Sequence, residues 1–164
     1  MNYPEPQHLV DTIGKDTDDA RVQAIFGKFG ITLDQLRPLS KKLKGQLRWS
    51  DFDHGIHMGF NDVGLLKKIP YHDVDEGPWV LVDVAFWAKG ESKVDYAGPL
   101  PFGLNFAMSR NEVKRHLSTN SLPDCTSYGD VDVWICNGVE LAADFGGENG
   151  RIRCFGLAPA EGVN

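Results

Sequence analysis

The chain has 164 residues, 41% hydrophobic and 24% charged, which suits one compact domain or two small fused modules. Its three cysteines, Cys125, Cys136 and Cys154, are odd in number and lie in no CxxC or Cys/His spacing, which argues against a full disulfide framework or a zinc site. With 23 acidic and 17 basic residues, a net of −6, the chain is poorly suited to nucleic acid as a direct partner, because phosphate binding draws on clustered Lys and Arg.

The N-terminal MNYPEPQHLVDT lacks the basic start and apolar run of a secretory signal, and no apolar stretch approaches the ~20 residues of a membrane span. A cytoplasmic setting without a membrane partner is expected. Residues 16–29 (DTDDARVQAIFGKF) carry Val22, Ile25, Phe26 and Phe29 at the spacing of an amphipathic helix, with Asp16 or Thr17 as cap. Lys41, Lys42, Lys44 and Arg48 read as a solvated basic run. "WVLVDVAFWA", Trp79 to Ala88, is nearly continuously apolar and rich in valine, so it predicts a central buried strand. Asp83 inside it marks an edge, a partner face or a buried hydrogen bond. The polar, Gly- and Pro-containing stretch after Trp87 reads as a linker.

A second helix is expected in "FAMSRNEVKRHLS", with a Ser109/Glu112 capping box, Met108 stapled to Val113, and an end near Ser118. Lys114 and Arg115 suit its later turns, and His116 reads as a partly exposed helix residue. "DVWICNGVELAADF" is two alternating runs around Asn137-Gly138, the strongest short hairpin signal. "RIRCFGL" follows a Gly-rich turn as one more strand.

The stretch "WSDFDHGIHMGF" repeats this pattern. Aligning Gly55 with Gly138 places Ile56 over Val139, Met58 over Leu141 and Phe60 over Ala143, with His54 at the place of Asn137 and Trp49 close to Asp132. The expected fold class is therefore α+β, two fused modules, each a short helical segment packed on an antiparallel β-meander. The first would span 1–90 with insertions near 31–45 and 63–77, the linker 91–101, and the second module 102–164.

The polar groups of "WSDFDHGIHMGF" are first of all those of a hairpin corner. A contact surface is a second reading. Metal binding through Asp53, His54 and His57, joined by His72 or Asp73, is a third. No GxSxG, HExxH, P-loop or dinucleotide fingerprint occurs, so catalytic residues are not assigned. Cys125 near His116 allows a thiol nucleophile on paper, but loop cysteines without an orienting partner are usually inert. No cofactor or structural metal is expected.

The first half, "IGKDTDDARVQAIFGKFG", resembles the helix entry of small bacterial immunity proteins encoded beside toxin effectors. The second half, "GLNFAMSRNEVKRHLS…DVWICNGVELAADFGGENGRIRCFGLAP", resembles the capped helix, hairpin and strand of tandem helix-plus-sheet modules. The implied architecture is similar to that of β-lactamase inhibitor proteins, in which two such modules present a sheet face to an enzyme.

The resemblance implies a non-enzymatic immunity protein that binds a cognate toxin effector and occludes its active site stoichiometrically, with a nuclease as a plausible target. The acidic groups Asp51, Asp53, Asp73, Asp75 and Glu76 would meet a basic cleft, beside His54, while Trp49, Phe52, Tyr71 and Trp79 would supply anchoring area. A small enzyme or metal-binding protein using the Asp53/His54/His57 corner, or a regulatory protein-interaction module, is the alternative.

Overall fold

Eight strands form: β1 (Arg37–Ser40), β2 (Leu43–Asp51), β3 (Ile56–Asp62), β4 (Trp79–Trp87), β5 (Thr126–Tyr128), β6 (Val131–Cys136), β7 (Val139–Asp144) and β8 (Cys154–Pro159). They make one antiparallel sheet in the order β1-β2-β3-β4-β8-β7-β6-β5. The structure, a computed structural model, describes residues 1–160. The last four residues of the expected second module, 161–164, lie outside the described residues. Four α-helices accompany the sheet: α1 (Pro6–Thr12), α2 (Ala20–Phe29), α3 (Val63–Lys67) and α4 (Arg110–Thr119). The fold is α+β: a helical segment and a meander β1–β4, then a helix and a meander β5–β8.

The two meanders join through their last strands. β4 and β8 pair over Val84↔Leu157, Ala85↔Gly156, Phe86↔Phe155 and Trp87↔Cys154. The N-terminal half of β4 runs beyond the reach of β8. There Gly14 and Thr17 donate their N–H groups to Leu81 and Trp79 carbonyls, and Leu81 N–H donates to Lys15, so the segment before α2 closes the remaining edge. That pairing explains a correction to the cap. Thr17 is buried and its hydroxyl accepts from Trp79 N–H. Asp19, not Asp16 or Thr17, caps α2 by accepting from Arg21 N–H.

Burial along β3 alternates strictly from Ile56 to Asp62, as expected for a strand with one covered face. The covered face carries Ile56, Met58, Phe60, Leu81, Val84, Phe86, Trp134, Leu141, Phe155 and Leu157. These join Leu9 of α1, Val22 and Ile25 of α2, and Val113 and Leu117 of α4 in a single apolar core. Ser109 caps α4 through Glu112 N–H, which supplies one half of the expected capping box.

The stretch expected as a linker is built into this core. Tyr96 and Leu100 are buried, Tyr96 N–H donates to Trp87, and Lys93 N–H donates to Phe52. The alignment of the two halves also needs a correction. Asp51 pairs with Ile56 across a four-residue loop, 52–55, whereas Cys136 pairs with Val139 across only Asn137 and Gly138. Trp49 therefore sits opposite Met58 as Trp134 sits opposite Leu141. Its counterpart is Trp134, not Asp132.

The two sheet edges differ in length. β1 pairs with β2 only as far as Arg37↔Arg48, with an irregularity between Pro38 and Ser40. β5 has three residues, all exposed.

Candidate functional site

With the helices on one face, the other face of the sheet is uncovered. Because cross-strand neighbours share a face, its middle row reads Ser50, His57, Ala85, Gly156, Ala142, Val133 and Thr126. The row beside it reads Trp87, Cys154, Asp144, Val131 and Tyr128. Small residues thus occupy the centre, and larger ones stand at both ends.

At the β3 end the side chains form an ordered stack. Phe52 lies against Trp87 at 5.0 Å between ring centroids and 18°, and Trp87 against His57 at 5.6 Å and 27°. His57 Nδ1 is 2.8 Å from Ser50 Oγ, and its Nε2 is 3.1 Å from Asp83 Oδ2. Gly59 leaves room for this contact: a Cβ there would come within 3.2 Å of Asp83 Cβ. Asp83 therefore belongs to the uncovered face, half-exposed, rather than to an edge or a buried bond. At the opposite end Tyr128 and Ile135 are 67% and 61% exposed, large fractions for apolar side chains on ordered strands.

The expected binding residues separate into two groups. Asp51 is the keystone of the hairpin corner: Oδ1 accepts from Asp53 and His54 N–H, and Oδ2 lies 2.8 Å from His54 Nδ1. Asp53 is exposed and meets Lys93 Nζ at 2.5 Å, and this ammonium group holds its carboxyl below the ordinary range. The second group sits in the segment after α3. Asp75 accepts from Gly45 N–H at the far end of β2, Asp73 accepts from Asp75 N–H, and Glu76 lies 3.6 Å from His72 Nδ1. Six residue steps along the strand, roughly 20 Å, separate Gly45 from Asp51. The acidic residues are therefore two clusters at opposite ends of β2 and not one continuous patch.

The aromatic residues divide similarly. Phe52 and Tyr71 are exposed. Trp49 and Trp79 are half-buried against the core, Trp49 beside Phe29 at 6.0 Å, so neither is the exposed anchor expected of it.

The residues of the alternative metal reading are not brought together. His54 faces Asp51, His57 faces Ser50 and Asp83, and His72 Nε2 faces the fully buried Asp62 at 3.0 Å. No cluster of three or more His, Cys, Asp or Glu suited to a metal occurs among the described residues. Asp62 instead anchors the segment after α3, accepting from Gly64 and Gly77 N–H at 2.7 and 2.6 Å. The paper thiol site also comes apart. His116 Nε2 donates to the Phe102 carbonyl, and the hydrogen-bonding neighbour of Cys125 is Ser127. Burial pushes the Cys154 thiol up to about 11, which leaves it protonated at neutral pH.

Sequence reasoning missed Ser50 and the Ser50–His57–Asp83 contact. Period-2 alternation turns His57 away from Ile56 and Met58, but Ser50 and Asp83 reach it only through the β2–β3 and β3–β4 registers, the latter shifting between Gly59 and Phe60. No helix among the described residues is long and apolar enough to cross a membrane. No family model, curated protein or solved structure matches the chain.

Proposed function

We propose that the chain is a binding protein of the immunity type, which neutralises a cognate toxin effector by laying the uncovered sheet face over its active site. The observation that carries this reading is the face itself. It is a broad ordered surface with Ala85, Gly156 and Ala142 in the middle and Phe52, Trp87, Tyr128 and Ile135 towards the ends. Aromatic side chains held by stacking lose little freedom on binding, and interface energy concentrates on such anchors. Asp53 and Asp83 stand beside the aromatic end, and the net charge of −6 would speed encounter with a basic cleft. A nuclease fits that charge. The cluster at Asp73, Asp75 and Glu76 would then act as a second rim and not as part of the same contact.

The test is co-purification with the toxin encoded beside this chain, compared with an Ala142→Arg variant. Ala142 is half-buried in the centre of the face, so a long charged side chain there should leave the core intact while holding the partner off. Binding is expected to fall at least tenfold, with Glu148→Lys in the Gly-rich turn as control. Wild-type binding by Ala142→Arg would remove the face from the interface.

A second reading rests on Ser50, His57 and Asp83. Nε2–H donating to Asp83 leaves an Nδ1 lone pair to take the Ser50 hydroxyl proton, the order of groups that activates a serine. Hydrolysis of p-nitrophenyl acetate that disappears in Ser50→Ala would support a hydrolase. Equal background rates for the two proteins would dismiss it.

A further inference from the structure

We propose that the groove where β1 ends against β2 is a binding site for an oxyanion, a carboxylate or phosphate carried on an apolar body, with Arg37 and Arg48 as its charged donors. The proposal does not depend on the protein-binding reading. Its starting point is a register position. Arg37 lies directly opposite Arg48 in the antiparallel pair, and like charges so placed repel. Neither guanidinium has a carboxylate within ion-pair distance among the described residues.

Both arginines line one groove of about 550 Å³, together with Gln35, Ser50 and the aromatic residues Phe29, Trp49 and Phe52. Its lining holds two guanidinium groups and no carboxylate, in a chain whose net charge is −6. That local excess is the opposite of the molecule's average. It matches the chemistry of a small anion, for which guanidinium offers paired N–H donors.

The other donors are positioned by bonds already described or adjacent to them. Arg37 Nη1 donates to the carbonyls of Asp34 and Leu36 at 2.5 and 3.2 Å, which fixes the guanidinium and leaves its remaining N–H groups free. Gln35 Oε1 accepts from Thr32 N–H, so its amide NH₂ is available to the groove. Ser50 lies two residues beyond Arg48 on the same face and lines the groove, but its hydroxyl is already paired with His57 Nδ1 and is not among the donors. Phe29, Trp49 and Phe52 supply the apolar wall. The groove size lies within the range of ordinary small-molecule sites.

The experiment is isothermal titration of the full chain with sodium phosphate, sodium acetate and sodium benzoate at constant ionic strength set with chloride. Saturable one-to-one binding is expected in at least one arm. Phosphate alone would assign a phosphate ligand, and the acetate and benzoate arms a carboxylate. Phe52→Ala should weaken benzoate relative to acetate. Arg37→Gln and Arg48→Gln should each weaken the bound anion by roughly tenfold or more, since each removes a charge-assisted contact, while Lys44→Gln leaves it unchanged. Arg48→Gln, which loses no internal hydrogen bond, should melt at or above the wild-type temperature, because repulsion is relieved. Absence of saturable binding in every arm, wild-type affinity in both variants, or a lowered melting temperature in Arg48→Gln would overturn the proposal.

Discussion

Asp132 shows what a single residue contributes when its partners are in place. Its side chain is fully buried, Arg110 donates to both oxygens at 2.6 and 2.8 Å, and Ser127 donates at 2.6 Å. The Arg110 bonds, first, hold its carboxyl below the ordinary range against the opposing effect of burial. A carboxyl lowered in the folded state stabilises fully above the ordinary carboxylate range, near about pH 4, and that contribution is lost as pH falls from there through the lowered folded-state value. Asp132→Asn should therefore melt below wild type at pH 7, with the gap closing as pH falls below the ordinary carboxylate range. A gap independent of pH would mean that the carboxylate charge is not the cause. In the sequence this residue reads only as a position of the hairpin strand, because Arg110 lies 22 positions away and its role depends on how α4 crosses the sheet.

At the level of the element, the hairpin β6–β7 was legible because Asn-Gly dictates a turn by itself. Asn137 and Gly138 have φ of 50° and 80°, the two left-handed positions of a type I′ turn. Valine at 138 should strain that turn and destabilise by about 1–3 kcal/mol. Thermal melting measures it, and an unchanged midpoint would mean that the turn relaxes without cost. The helix stripe of α2 and the apolar run of β4 were legible for the same reason, local periodicity. β1 and β5 were not. Arg37–Ser40 contains a proline and no alternation, and Thr126–Tyr128 is exposed throughout, so neither carries a hydrophobic period to read. The ungapped comparison of the halves placed Trp49 two residues from its true counterpart. Asp132 and Trp134 share the covered face, because a shift of two residues preserves the face of a strand, and Trp49, expected as an exposed anchor, packs on that face too.

For the whole molecule, the decisive contact is the one between β4 and β8. Four residue pairs join the meanders, and Phe86 and Phe155, both fully buried, face each other there. Side chains from both halves share one core, so unfolding is expected as a single transition, with calorimetric and van't Hoff enthalpies equal. Two resolved transitions would show that the halves unfold separately. The sequence indicated a helix-plus-meander pattern in each half but not their junction. Pairing between strands some 70 residues apart leaves no local trace, and the candidate site inherits that limit because its rows cross the same seam.

An open sheet of eight strands also has two ends at which another chain could add itself, and the short outer strands bear on that hazard. An exposed edge is a template for intermolecular pairing unless it is short, irregular or charged. Here one end is interrupted between Pro38 and Ser40 and followed by Lys41 and Lys42, and the other offers only three residues. The ladder is thus poorly suited to lengthening by stacking copies edge to edge, and the broad face in between remains the surface on which another molecule meets ordered side chains.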